Sequence, residues 1–340
     1  MPRKTRHNSL TTPELISQVN PDNIQLLEDF LDYLKSTQRS DGTINSYRSD
    51  IQIAWVWNLQ YNNNIFYCDW TKRHVIRYQN WLLNENGNSP ARVRRLKAAL
   101  SSLGNFIEGV LDSEFPNYRN IINKVENPVN QPVREKTVWK DEELDKLLET
   151  LVEKRMYEKA CFLALAMYSG RRKAELCRFK VSDFNDDRLV CDGALYKSAP
   201  IKSKGRGGGR YINCYTLAKQ FKPYLDLWMA ERERINVNSP WLFPAKDDMS
   251  NHIAISTANS WSNTYSRLSG RDAYLHSLRH YFATHLSRSG IPDGVIQTIV
   301  NWKSGDMVKL YKDIDADEEL SMYFTKDGIV TPRQKSFSDI

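Results

Sequence analysis

The chain has 340 residues, of which 41% are hydrophobic and 26% are charged, and its formal net charge at pH 7 is +7. A chain of this length and composition forms folded domains, so these numbers exclude a wholly disordered protein and allow two domains of ordinary size. The positive balance favours a partner with many negative charges, because a basic surface attracts phosphates and speeds association with them.

The cysteines and the hydropathy of the chain indicate in which cellular compartment the protein is expected. The five cysteines are scattered and form no CxxC pattern, which argues against a disulfide framework and against a zinc knuckle. No apolar run approaches the length of a membrane span, and the first residues lack the apolar core of a signal peptide. We therefore expect a cytoplasmic protein without a membrane partner.

The amino-terminal third is predicted to be helical. Residues 1–20 show no hydrophobic periodicity and are predicted to form a flexible tail, either frayed or lying along a nucleic-acid backbone. From Pro21 onward, apolar residues recur at helical spacing in four segments, which predicts an α-helical domain over residues 21–127. The last of these helices begins at Ser89 and Pro90, a cap followed by a first-turn proline.

This fourth helix is strongly basic. Its basic residues fall outside the predicted apolar stripe and are Arg92, Arg94, Arg95 and Lys97. Such a row is either a solvated helix face or a surface that binds DNA. The phosphodiester chemistry indicated further along the chain favours the second interpretation.

A linker is predicted over residues 128–137, where two prolines interrupt a polar run. The second domain, over residues 138–340, begins with acidic residues in a first helical turn. Extended patterns over 188–191, 194–201 and 210–216 predict short strands, and the glycine-rich segment 202–209 predicts a β-hairpin with a flexible basic tip. Helices are predicted to follow as far as Tyr311 and beyond.

Two clusters in this domain carry chemistry. The first has adjacent arginines, Arg171 and Arg172, with Glu175 close behind, and the second has His276 and Arg279 on one helical face. Tyr311 follows Trp302 by nine residues. A phenol, with a pKa of about 10, needs a base in order to attack near neutral pH. Two guanidiniums suit the equatorial oxygens of a phosphate that gains negative charge.

The order of these motifs resembles the tyrosine recombinase (phage integrase) family, and especially its Cre-like two-domain members. The resemblance spans Lys140 to about Phe324. It implies a mainly α fold with a small antiparallel β-sheet (α+β), in which a helical core-binding domain precedes a catalytic domain. It also implies a site-specific recombinase that cuts and rejoins DNA through a covalent 3′-phosphotyrosine, without metal, nucleotide or other cofactor.

The resemblance implies a role for each site residue. Tyr311 is the nucleophile, Arg172 and Arg279 bind the phosphate, and His276 assists proton transfer or phosphate binding. A hairpin lysine acts as general acid toward the leaving 5′ oxygen. Trp302 packs on the phosphate or hydrogen-bonds it, and Glu175 supports the site structurally.

Some assignments have rivals. Arg172 is preferred over Arg171 because Glu175 then lies at the family's spacing, and Lys204 is slightly preferred over Lys202. Trp302 stands where most members have histidine, and an indole cannot act as an acid at neutral pH. Two other tyrosines are discounted as nucleophiles because neither holds the spacing to Trp302: Tyr281 and Tyr323. The predicted DNA contacts outside the basic helix are Arg206, Arg210 and His280.

The expected partner is double-stranded DNA that carries inverted-repeat recombination sites, in the nucleoid or in host-cell DNA. The resemblance implies a homotetramer on DNA, and the free protein is expected to be a monomer. Residues 315–324 are predicted to form an acidic helix that docks either on its own domain or on a neighbouring protomer. Two alternatives are a type IB topoisomerase-like relaxase and a non-catalytic DNA-binding protein on the same scaffold.

Overall fold

The computed structural model describes residues 10–129, 139–203, 205, 209–302 and 305, together with the backbone of 324–325 and 328–329. The chain divides into two compact units, with the boundary in sequence between residues 135 and 136. The two units are described separately below.

The first unit is helical. Its helices are α1 (Pro13–Ile16), α2 (Pro21–Ser36), α3 (Asp41–Tyr61), α4 (Lys72–Asn80) and α5 (Pro90–Val110), with a π-helical turn at Trp81–Glu85. Side-chain caps and first-turn prolines begin α2 and α5: Asn20 accepts a hydrogen bond from Asp22 N at 2.9 Å, and Ser89 accepts one from Arg92 N at 3.4 Å. The sequence thus starts these helices through local chemistry.

An aromatic core holds this unit together. Trp55 lies in the middle of α3 and is fully buried, with its ring centroid 5.2 Å from that of Tyr67. The hydroxyl of Tyr67 donates a hydrogen bond to the Leu100 carbonyl of α5 at 2.9 Å. Buried aromatic rings of this size supply much of the apolar area that stabilises a small helical domain.

The predicted tail is wrong for its second half. Residues 13–16 form α1, and Val19 is 3% exposed within the helical core. The side chain of Asn64 accepts a hydrogen bond from Asn20 N and donates one to the Gln18 carbonyl. Burial of Val19 and hydrogen bonds to a residue far along the chain dock a segment that shows no periodicity. Residues 1–9 lie outside the described part of the chain.

The second unit is built around a buried helix. Its helices are α6 (Asp141–Glu153), α7 (Tyr157–Ser169), α8 (Lys173–Leu176), α9 (Ala218–Arg234), α10 (Ile255–Ser269), α11 (Leu275–Arg288) and α12 (Asp293–Val300). Helix α7 is apolar on nearly all sides and packs against α6, α9 and α11. A helix that is hydrophobic all round is expected at the centre of a domain.

Two small antiparallel sheets complete the unit. The first has the order β1 (Leu189–Val190), β2 (Leu195–Lys197) and β5 (Tyr215–Leu217). The second pairs β3 (Ile201–Ser203) with β4 (Arg210–Ile212), so that Lys202 lies opposite Tyr211 and Ser203 opposite Arg210. The prediction of a mainly α fold with a small antiparallel sheet is confirmed.

The strand boundaries need correction. The segment predicted as one strand over 194–201 is divided into β2 and β3, and its partner into β4 and β5. At the break, Ser198 N donates to the Cys214 carbonyl and Ala199 N donates to Asp183 Oδ1. Lys202 consequently lies within β3 and not in the glycine-rich connection. A proline at position 200 removes one N–H donor, which accounts for a break there.

Near the carboxyl end, β6 (Phe324–Thr325) pairs with β7 (Gly328–Ile329). The predicted acidic helix is therefore wrong at its last residue, Phe324. Its other residues, 315–323, lie outside the described part of the chain. The helices that the structure does describe are all too short or too polar to cross a membrane.

Candidate active site

The turn after α7 separates the two adjacent arginines. Helix α7 ends at Gly170, whose φ of 57° is left-handed and whose missing side chain leaves room for the ring of Phe282. Beyond it, Arg171 is buried, with 1% of its surface exposed, whereas the side chain of Arg172 is 36% exposed. Of the two guanidiniums, it is that of Arg172 that is available to a ligand in solution.

Glu175 fixes the position of Arg172 through hydrogen bonds. Its carboxylate accepts hydrogen bonds from Arg172 N at 3.0 Å, from Arg172 Nη1 at 3.2 Å and from the Ser203 hydroxyl at 2.6 Å. Burial alone would raise the pKa of Glu175, but these bonds and the charges of Arg171 and Arg172 outweigh it and lower the pKa. An ionised Glu175 therefore fixes Arg172 and ties it to strand β3.

Helix α11 supplies the next two groups. His276 retains exposed surface, yet desolvation of its ring and the nearby charges of His280, Arg279 and Arg172 lower its pKa to about 4. Its imidazole is therefore neutral at pH 7. The ring of His280, a predicted DNA contact, lies 5.7 Å from that of His276 between centroids.

Arg279 is buried, with 1% of its surface exposed. It donates from Nη1 to the Gly170 carbonyl at 2.7 Å and from Nη2 to the Val300 carbonyl at 3.0 Å. Its guanidinium lies over the ring of Trp302, 5.1 Å from the centroid, where a cation–π interaction stabilises it. Arg279 thus joins the turn after α7 to the end of α12.

Trp302 follows directly on α12. The helix ends at Asn301, which has a left-handed φ of 59°, and Trp302 N donates back to the Gln297 carbonyl at 3.0 Å. The indole is 6% exposed. Trp302 therefore acts as a packed platform beneath Arg279.

The structure brings together five of the predicted catalytic residues. They are Arg172, Glu175, His276, Arg279 and Trp302. The nucleophile candidate Tyr311, the hairpin Lys204 and Arg206 lie outside the described residues. Lys202 is exposed on β3. Arg210 is partly buried and donates from Nη2 to the Asn301 carbonyl at 3.2 Å.

The basic helix α5 needs one correction. Lys97 does not lie on an exposed face: it is 2% exposed, and its ammonium donates to Gln79 Oε1 at 2.7 Å, to the Val125 carbonyl at 2.8 Å and to the Glu126 carbonyl at 3.2 Å. Desolvation and the charge of Arg94 lower its pKa to about 8. A lysine can fill such a site because its long stem buries easily and its head group has three donors.

The other basic residues of α5 retain exposed surface. Arg92 and Arg95 both pair with the buried carboxylate of Asp50, at 2.7 and 3.1 Å, and Arg94 donates to the Pro128 carbonyl at 3.4 Å. Contact of these three arginines with DNA stays a prediction.

Sequence reasoning missed two supporting residues. Ser203 orients Glu175 from strand β3, and Asp50 gathers two arginines from α3. Neither leaves a signal in a single sequence, because each contact joins elements that are distant along the chain. Among the residues described by the structure, no cluster of three or more His, Cys, Asp or Glu side chains could hold a metal ion.

Comparison with known proteins identifies the family of this chain. The model of the phage integrase family matches residues 138–318, more than half of the chain. The SPbeta prophage-derived recombinase-like protein YomM of Bacillus subtilis is 29% identical over 226 residues, which cover 65% of this chain and 66% of that protein. A tyrosine recombinase of Thermosipho africanus is 23% identical over 306 residues, covering 87% of this chain and 96% of the relative.

Solved structures share the fold. The XerH site-specific recombinase bound to its difH substrate, in a pre-cleavage complex, has a TM-score of 0.63 at 17% identity, covering 89% of this chain and 96% of that one. A lambda integrase tetramer bound to a Holliday junction has a TM-score of 0.61 at 17% identity, covering 85% and 77%. At these identities the likeness concerns the fold.

Proposed function

This chain belongs to the phage integrase family and is a tyrosine recombinase that acts in site-specific DNA recombination, and on that premise we propose that Tyr311 is the nucleophile that it esterifies to DNA. The phenol oxygen attacks the scissile phosphorus, the bond to the 5′ oxygen breaks, and a 3′-phosphotyrosine forms. Attack by a 5′-hydroxyl then reverses the step, and because the ester conserves the energy of the broken bond, no ATP is needed.

The observation that carries this proposal is the exposed guanidinium of Arg172 beside a neutral imidazole. Arg172 is fixed by ionised Glu175, and its charge reaches His276. A fixed cation of this kind stabilises the charge that develops on a five-coordinate phosphate. Arg279 is the proposed second phosphate ligand, although in this structure it is buried and its Nη1 and Nη2 donate to the Gly170 and Val300 carbonyls beside Trp302.

Proton transfer follows from the charges of these groups. His276 is neutral at pH 7, so its N–H can bind a phosphate oxygen; it can also assist transfer of the phenolic proton, although a pKa of about 4 makes it a weak base. A hairpin lysine, Lys204 in preference to Lys202, protonates the leaving 5′ oxygen. Trp302 contributes packing and binding but no proton, since an indole N–H is not acidic at neutral pH.

The substrate proposed is duplex DNA with two inverted half-sites, in the nucleoid or in host-cell DNA. Each half-site would take one monomer, and four protomers would assemble when two sites pair. The C-terminal segment 315–324 is the proposed contact between protomers. The lambda integrase neighbour is a tetramer on a Holliday junction and shares the fold of this chain, which supports the proposal of a similar assembly. No observation favours topoisomerase-like or purely DNA-binding function.

A covalent-adduct assay tests the nucleophile. Binding sites are first selected from a randomised duplex library with the full chain, and the selected sequence is rebuilt as a nicked suicide substrate with a labelled 3′-phosphate side. Wild type is expected to yield a labelled adduct that survives denaturing electrophoresis, and Tyr311→Phe to yield none. Tyr281→Phe and Tyr323→Phe are the matched controls, and both should retain the adduct. An adduct with Tyr311→Phe would refute the assignment.

A further inference from the structure

Three arginines hold three consecutive carbonyls where α12 ends. The Ile299 carbonyl accepts from Arg171 Nη2, the Val300 carbonyl accepts from Arg279 Nη2 at 3.0 Å, and the Asn301 carbonyl accepts from Arg210 Nη2 at 3.2 Å. These arginines come from the turn after α7, from α11 and from β4. The end of α12 is therefore fixed to three separate elements of the unit.

The arrangement has a simple electrostatic basis. The last carbonyls of a helix lack intrahelical partners and carry the negative end of the helix dipole. Guanidiniums satisfy both requirements, because each offers several donors and a positive charge. Of the three arginines, Arg171 makes contacts with all three of its guanidinium nitrogens. Its Nε also donates to the Ser169 carbonyl at 3.1 Å, and its Nη1 lies 3.8 Å from Cys214 Sγ.

Arg171 thereby links two parts of the site. On one side it is the chain neighbour of Arg172, the exposed guanidinium of the site. On the other side it holds Ile299, three residues before the Trp302 platform and twelve before Tyr311. A single buried side chain thus fixes the turn that presents Arg172 relative to the segment that leads to the nucleophile.

We propose that Arg171 is a positioning residue for DNA cleavage, which sets the place of the α12 end relative to Arg172 and hence the approach of the phenol to the phosphorus. This inference rests on the proposed role of Tyr311. The proposed function of Arg171 requires that its side chain be buried, whereas that of Arg172 requires an exposed guanidinium. A small misplacement of reacting groups is costly, since about 1 Å corresponds to roughly 100-fold in rate.

Arg171→Met tests this inference, because methionine keeps an unbranched side chain and removes the charge and the donors. Arg232→Met is the matched control: Arg232 is 3% exposed and also holds backbone carbonyls, of Ser239, Trp241 and Leu242, away from the site residues. The melting temperature should decrease by a similar amount in both variants. Half-site affinity should match wild type in both, and only Arg171→Met should slow single-turnover adduct formation, by on the order of 100-fold.

A second substrate separates positioning from leaving-group chemistry. A bridging 5′-phosphorothiolate releases a thiolate, which departs without the protonation that an alkoxide needs. If Arg171 places the nucleophile, Arg171→Met stays slow on this substrate. Arg171→Lys, which keeps one charge and can still reach a carbonyl, should recover part of the rate, and it replaces Arg171→Met in the assay if the latter does not fold.

The outcomes are distinct. Equal cleavage by the Arg171 variants and Arg232→Met would overturn the inference while leaving the role of Tyr311 intact. Full recovery of Arg171→Met on the phosphorothiolate would overturn it as well, because the defect would then lie at the leaving group. Absence of any adduct with the wild-type chain would instead defeat the proposed function, and the inference with it.

Discussion

Helix α5 of the first unit and the turn after α7 of the second unit both present basic residues close together in sequence, and both divide them between interior and surface. In α5, Lys97 is buried on three oxygens while Arg94 keeps exposed surface. In the turn, Arg171 is buried on backbone carbonyls while Arg172 faces solvent. Neighbouring cations are thus not equivalent, because one is buried and hydrogen-bonded to oxygens of the fold while the other keeps exposed surface.

Helix α11 repeats the division with different residue types. His276 and Arg279 share a helical face, yet His276 keeps exposed surface and Arg279 is buried between two carbonyls. The buried member in each region binds main-chain oxygen, and the buried arginines do so at the ends of helices. A helical pattern in a sequence does not reveal which residues of one face will be buried against main-chain oxygens.

The largest effect is expected from the exposed arginine of the turn. Arg172→Ala removes a fixed cation from the phosphate and should lower single-turnover cleavage by roughly 1000-fold. Half-site affinity should change little by comparison, because many other contacts to the DNA backbone remain. Gel-shift titration and adduct kinetics measure the two quantities. Loss of binding and cleavage in equal proportion would break the proposed distinction between Arg172 and Arg171.

A smaller effect is expected from the exposed member of α11. His276→Gln removes a proton acceptor while keeping an N–H donor, and it should slow cleavage by about 100-fold. Because the pKa of His276 is lowered to about 4, its neutral form persists as pH falls from 7 to about 5. In that window the wild-type rate should therefore show no loss from His276 protonation. A wild-type rate that falls with an apparent pKa near 6.5, and a His276→Gln rate that does not, would contradict the depressed value.

The smallest effect concerns α5 and distinguishes folding from binding. Lys97→Met removes the donor of three partly buried oxygens, and should lower the free energy of unfolding by about 2 kcal/mol. The folded pKa of about 8 lies below that of the unfolded chain, so the unfolded state binds more protons above pH 8. Stability from this site should therefore rise with pH between about 8 and 10, and Lys97→Met should lack that rise in urea unfolding.

Arg94→Gln is the counterpart in the same helix. It should leave stability unchanged and lower the slope of log affinity against log salt by about 1, the value for one lost phosphate contact. Lys97→Met should leave that slope as in wild type when measured well below the unfolding transition. The reverse pattern, with a changed slope for Lys97→Met alone, would place Lys97 at the DNA after all.

Much of the fold was readable from local pattern. Apolar spacing located the helices of both units, and Ser89 with Pro90 marked the start of α5, because caps and helical stripes are properties of short segments. The motif order gave the family. The break between β2 and β3 was missed because it depends on Asp183 and Cys214, which reach that point from other elements.

The division of labour within the site was harder to predict. The spacing to Glu175 favours Arg172, but nothing in the local sequence indicates that Arg171 donates a hydrogen bond to the Ile299 carbonyl at the end of α12. For the same reason Lys97 was placed on the outside, since its acceptors at Val125 and Glu126 lie beyond the helix. Burial of a long cationic side chain depends on which carbonyls the tertiary fold brings near it.

The carboxylate of Asp50 pairs with both Arg92 and Arg95, and this affects the affinity that helix α5 could have for DNA. If helix α5 contacts DNA as predicted, a phosphate near Arg92 and Arg95 would compete with the Asp50 carboxylate, and the two guanidiniums would attract it less strongly than two unpaired arginines would. A weaker attraction to phosphate would raise the rate of dissociation from DNA of any sequence. Helix α5 would then favour rapid sampling of DNA over long residence on any one stretch.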